Sequence, residues 1–95
     1  MKTQSCILWD RITHILYRNG NVMIHYFDKN VEYYEMGLLS FNSLLVHNEN
    51  FIKVNYDVIV NRKFIDSIFK VRKKIVLLID KYEIVVSRRK AYHFK

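Results

Sequence analysis

The chain has 95 residues, half of them apolar and a quarter charged, which describes one globular unit and excludes a disordered chain. No apolar run approaches the roughly 18 residues of a membrane helix, the longest covering residues 75–79, and the start is too polar for a secretory leader. The lone Cys6 excludes an internal disulfide and fits a reducing, cytoplasmic setting.

Net charge is +7, and its placement says more than its size. Residues 1–47 hold four Lys/Arg and four Asp/Glu, whereas residues 48–95 hold twelve against five, so the second half carries the whole excess. A basic half suits a polyanionic partner through steering and counterion release, and it equally suits a plain solvated surface.

Aromatic and β-branched residues are abundant, proline is absent, and only Gly20 and Gly37 are glycines, a composition that favours strands joined by Asn and Asp turns. Residues 12–18 and 21–27 are two β-prone runs flanking Asn19-Gly20, the strongest short hairpin signal, because both positions tolerate positive φ. A turn at 28–30 leads to a third strand at 31–35, with Ile7-Leu8-Trp9 expected as a fourth strand at the sheet edge. Residues 40–47 are the helical candidate: Ser40 offers an N-cap, and Phe41, Leu44 and Leu45 share one face. Strands are then expected at 51–54 and 58–60 around Asn55-Tyr56-Asp57, at 64–69, at 74–79 and at 82–86. The loop 70–73 and the turn Asp80-Lys81 join the last three. Ser87 precedes a basic C-terminal turn or short helix. No linker, repeat or low-complexity segment divides the chain, so 1–95 is expected to be a single domain.

From Phe51 onward the pattern is specific. Phe51 or Ile52, then Lys53, the apolar triplet Val58-Ile59-Val60 closed by Asn61, the pair Ile65 and Ile68, a hairpin, and Val86-Ser87-Arg88-Arg89 together resemble the signature of the LytTR family of bacterial DNA-binding domains. The upstream hairpin, third strand and short helix match that family's order. One departure stands out, Asn55-Tyr56-Asp57 where the family usually carries His-x-Ser.

The resemblance implies a mainly β fold, an elongated stack of small antiparallel sheets with one or two short helices. It also implies sequence-specific binding of double-stranded DNA by loops, in transcription regulation, with pairs of domains on repeated sites. Three segments would then converge on DNA: Arg18-Asn19-Gly20-Asn21, Lys53 with Asn55 and Tyr56, and Arg88-Arg89-Lys90. Their chemistry fits. Arg89 or Arg88 offers a planar fork for guanine or phosphate, and Asn19, Asn21 and Asn55 suit adenine edges. Lys53, Lys90, Arg72, Lys73 and Lys74 suit phosphates, where a point charge fixes position without reading sequence. Each has a plainer reading. Asn19-Gly20 is needed by its turn, Asn61 closes a backbone turn, Arg88-Arg89-Lys90 could open a solvated helix, and Arg72-Lys73-Lys74 could guard the next strand from aggregation.

Other chemistries find little support. His14, His25, His47 and His93 lack metal-ligand spacing, no nucleophile motif or glycine-rich phosphate loop occurs, and the carboxylates are scattered. No enzyme, no cofactor and no small-molecule substrate is expected. Single-stranded RNA on Tyr26, Phe27, Tyr33 and Tyr34 is the weaker nucleic-acid reading, since such aromatics serve as core. The rival is a protein-interaction role. With Met1 at the start and no receiver or membrane segment ahead of it, the sequence is a stand-alone domain or one cut from a larger regulator. A partner would dock on exposed Ile7, Leu8 and Trp9.

Overall fold

A computed structural model describes residues 7–94; Cys6 and the start of the chain lie outside them, as does Lys95. Three antiparallel strands come first, β1 (Ile12–Arg18), β2 (Asn21–Tyr26) and β3 (Val31–Glu35), at the expected positions. The β1–β2 turn has φ of 49° at Asn19 and 84° at Gly20, and the space beside Gly20 is open. A Cβ there would meet no atom, so the left-handed backbone alone asks for glycine.

Next come α1 (Leu38–Ser43), a 3-10 helix at Leu44–His47, and the strands β4 (Phe51–Asn55) and β5 (Val58–Asn61). The first sheet runs β3-β2-β1-β5-β4. Its fourth member beside β1 is therefore β5, and Trp9–Arg11 forms a 3-10 helix instead of the expected strand. Ile7 and Trp9 pack against the core, with Trp9 stacked on His47 at 4.1 Å, so that only Leu8 of the expected docking triplet is exposed. The helix also starts earlier than expected. Gly37 is its N-cap, while Ser40 lies inside and accepts a bond at its carbonyl from the Ser43 hydroxyl.

The second sheet is β6 (Ser67–Val71), β7 (Lys74–Ile79) and β8 (Tyr82–Val85), in that order. Residues 64–66 do not join it, because Asn61 caps a 3-10 helix at Arg62–Phe64 by accepting from the Lys63 amide. Lys70 and Val71 belong to β6, and the expected basic loop shrinks to a two-residue turn, Arg72-Lys73. A 3-10 helix at Arg88–Phe94 closes the described chain.

Two cores follow from this layering. Ile12, Ile15, Val22, Ile24 and Ile59 cover one face of the first sheet with Phe41 and Leu44. On the opposite face Ile52, Val54, Val58 and Val60 meet Ile75, Leu77, Ile79, Ile84 and Val86 of the second sheet and its exit. Strand β5 lies between the two, which explains its unbroken apolar run, as expected of a strand covered on both faces. Truncating the fully buried Leu77 to Ala would leave a void between the sheets and cost about 2–5 kcal/mol. The resulting body is elongated, 47 × 26 × 21 Å.

The sheets also enclose a polar pair. His14 and His25 stack at 4.2 Å, and Tyr82 of β8 tilts against both rings. The Thr13 hydroxyl donates to the His25 carbonyl, so it can only accept from His14 Nδ1, at 2.9 Å. That fixes the His14 proton on Nδ1. The Nε2 atoms of both rings are buried and have no hydrogen-bond partner among the described residues. Burial, then the neighbouring His25, lowers the His14 pKa to about 4, with Asp80 opposing. Burial lowers His25 as well. Both rings are neutral at physiological pH.

Candidate nucleic-acid interface

Register decides which loops share an end. Strand β5 runs antiparallel to β1 with Val58 opposite Leu16, and Asn21 lies opposite Glu35. The β1–β2 and β4–β5 turns therefore sit side by side, joined where the Tyr17 amide donates to the Asp57 carbonyl at 2.8 Å. The Ser87 amide donates to the Val54 carbonyl at 2.8 Å and brings the C-terminal segment to the same place. Residues separated by some 30 to 70 positions are thus neighbours. The β6–β7 turn joins this end too, since the Val86 amide donates to the carbonyl of Ile75, next to Lys74.

Arg18, Asn19 and Asn21 are exposed around the first turn, and Arg88 and Arg89 are exposed where the last 3-10 helix begins. Lys90 is half-buried, its amide donating to the Ser87 carbonyl. The nine expected contact residues all belong to this end, but they differ in freedom.

Lys53 is half-buried. Its ammonium donates to Asn42 Oδ1 and lies between the rings of Phe41 and Tyr56, 5.4 and 5.5 Å from their centroids. Desolvation first, and nearby Lys90 second, push its pKa down, while Asp57 pulls it up. Asn55 is occupied on both sides. Its Nδ2 donates to the Val85 carbonyl at 2.8 Å, and its Oδ1 accepts from the Asp57 amide at 3.0 Å. It closes its own turn and ties the first sheet to β8. Tyr56, by contrast, is 67% exposed at the tip of the same turn.

Asn61 is fully buried, with Nδ2 donating to the Ile12 carbonyl at 2.9 Å and Oδ1 holding the Lys63 amide. The Asn that closes the apolar triplet is thus a clasp between β5 and the start of β1. Below the C-terminal segment a groove of about 1130 Å³ is lined by Lys70, Arg72, Lys73, Lys74 and Arg88, with no carboxylate among its lining residues. Lys70 joins this set because it lies on β6 and not in the loop that the sequence suggests.

At the opposite end lie the turn at 28–30 and the turn Asp80-Lys81, linked by an ion pair between Lys29 and Asp80. Among the described residues no three His, Cys, Asp or Glu side chains come together as a metal would require, and no helix is long and apolar enough to cross a membrane. Of the aromatics weighed for RNA, Tyr26 is buried and bonds Glu32, Tyr34 bonds the same carboxylate, Phe27 is exposed and stacks on Phe64, and Tyr33 is exposed.

The sequence profile of the LytTr DNA-binding domain matches residues 4–95. The chain belongs to the LytTR family of DNA-binding domains. The LytTr DNA-binding domain assigned to a methyl-accepting/DNA response regulator of Bacillus cereus shares its fold, with a TM-score of 0.75. The two are 19% identical, and the match covers 93% of this chain and 81% of that one. Among curated proteins no match is found. The mostly β architecture of two antiparallel sheets with few short helices is that of the LytTR fold.

Proposed function

We propose that this LytTR domain is a transcriptional regulator that binds double-stranded DNA sequence-specifically through the loops of its basic end. The observation that supports it most is the pair of backbone bonds, Tyr17 to Asp57 and Ser87 to Val54, that gathers three distant segments beside a carboxylate-free groove. Loops at one end of a stacked β body can enter grooves where a recognition helix is lacking, and α1 at six residues is too short for that task.

Roles divide by freedom and chemistry. Arg89, exposed and forked, is the base reader, with Asn19 or Asn21 beside it for adenine edges. Tyr56 takes the reading role in its turn, because Asn55 is committed to Val85 and Asp57. An exposed ring can meet a thymine methyl or a base face. Arg18, Arg88 and Lys90 hold phosphates, and Lys53 supports Tyr56 from below while adding charge. Asp57 and Glu35 are the repulsive members of the end, and the proximity of Asp57 to Lys53 offsets part of that repulsion. The domain acts without catalysis or cofactor in the cytoplasm, and pairs of domains occupy repeated half-sites.

The test is selection from a random duplex pool by the purified chain at low and near-physiological salt. Enrichment of a short repeated motif that survives the higher salt is the expected result. A second reading, docking of a protein partner, draws on the outer face of the second sheet, where Phe69, Val71 and Val85 are exposed. Salt separates the two, since an apolar contact persists where phosphate contacts are lost. A bound fraction that enriches nothing and vanishes with salt would overturn sequence-specific binding.

A further inference from the structure

We infer that the Arg72-Lys73 hairpin tip is a separate clamp on the DNA backbone, seating phosphates in the groove between it and Arg88, outside the base-reading loops. The inference rests on the DNA-binding reading and adds to it a second track of contact.

Three observations carry it. Arg72 and Lys73 both occupy the left-handed region, with φ of 52° and 70°. The first turn meets the same demand with Asn-Gly, at less conformational cost than two long side chains incur. Asp80-Lys81 shows the same pair of positive φ values, 48° and 73°, so the conformation admits such residues, but turn stability gives no reason for two cations here. Second, none of Lys70, Arg72, Lys73, Lys74 and Arg88 has an ion-pair partner among the described residues, where Lys29–Asp80 is the one ion pair. Third, these five cations line one continuous groove whose lining includes no carboxylate. Five unneutralised charges along a groove match the repeating charge of a phosphate backbone, and like-charge repulsion among them is relieved when phosphates enter.

A mere guard against aggregation would need charge near β7 but neither the shared groove nor Arg88 within it. The adjoining Ser87 and Arg88 continue directly into Arg89, so a backbone seated in the groove leads onto the base-reading segment.

The test exploits the turn itself. Arg72→Asn with Lys73→Gly removes both charges and installs the sequence that a two-residue turn prefers, so the fold is kept. Its control, Lys63→Ser with Lys81→Gly, removes the same charge from the far end, where Lys81 also has positive φ. Affinity of the full chain for a random-sequence duplex is measured across a salt series for both double variants and the parent. The clamp predicts that the hairpin variant binds several-fold more weakly, and that its log–log salt slope is shallower by about two, near 0.9 for each lost phosphate contact. The control should keep the parental slope. Equal losses in the two variants would reduce the effect to net charge and overturn the clamp, as would a hairpin variant that binds like the parent. A parent that binds no duplex at all would instead overturn the DNA-binding reading beneath it.

Discussion

The two ends of the molecule are built from the same kind of part, tight turns between antiparallel strands, and are used differently. At one end the turns around Asn19, Tyr56, Arg72 and Ser87 carry exposed cations whose acidic company is Glu35 and Asp57. At the other, Lys29 and Asp80 neutralise each other across the two sheets, Asp66 accepts from the Asp80 amide, and a neutral histidine pair fills the space nearby. Both ends tie the sheets together with polar groups, Asn55 at the first and Lys29–Asp80 at the second, but only the first also carries a set of cations without an ion-pair partner among the described residues. That contrast, more than the overall charge of +7, points to the side from which a polyanion approaches.

The largest expected effect sharpens the closed end. The folded protein binds fewer protons at His14 than the unfolded chain does, since its pKa is lowered from 6.5 to about 4. The stabilisation is therefore full above pH 6.5 and is lost as pH falls toward 4, a change of roughly 3 kcal/mol for this group. Urea unfolding of the parent and of His14→Phe at stepped pH should show that the variant lacks this part of the acid loss. Identical pH profiles would remove the histidine pair from the account.

Arg89→Ala comes next and probes the open end. Affinity for the selected site should fall by about 1–3 kcal/mol with preference flattened at one base pair, while thermal stability is unchanged. Equal losses on specific and random duplex would assign Arg89 to the phosphates. Asn55→Ala blurs the ends deliberately: loss of the bonds to Val85 and Asp57 should cost about 1 kcal/mol of stability, measured by urea unfolding. If affinity falls with stability unchanged, Asn55 reads bases after all. The smallest effect is expected from Lys29→Ala. Lys29 is largely exposed although Asp80 is half-buried, and stability should change by about 0–1 kcal/mol with no change in the salt slope of DNA binding.

Much of the fold was legible because it is local. Asn19-Gly20 set the first hairpin, β-prone runs set β1 to β3, and Asp80-Lys81 was readable as a turn. The errors have physical causes. Ile7-Leu8-Trp9 looks like a strand, but the place beside β1 is filled by β5, from more than 40 residues away. Ser40 has the chemistry of an N-cap, yet Gly37 has the extended backbone that ends the loop. The two-residue turn at Arg72-Lys73 is hidden in a longer basic run because nothing in two cations signals positive φ. As for the interface, Arg88-Arg89-Lys90 and the first turn were named from the family pattern, whereas the engagement of Asn55 depends on β8, 30 residues on. Side-chain bonds across sheets leave no trace in periodicity.

The most direct test of the open and closed ends is an amide NMR titration of the full chain with a duplex carrying the selected motif. The account predicts that Asn19, Gly20, Tyr56, Asp57, Arg88 and Arg89 shift most, with Arg72 and Lys73 following, while residues 28–30 and 80–81 stay in place. Shifts centred on Lys29 and Lys81, with the basic end silent, would contradict it.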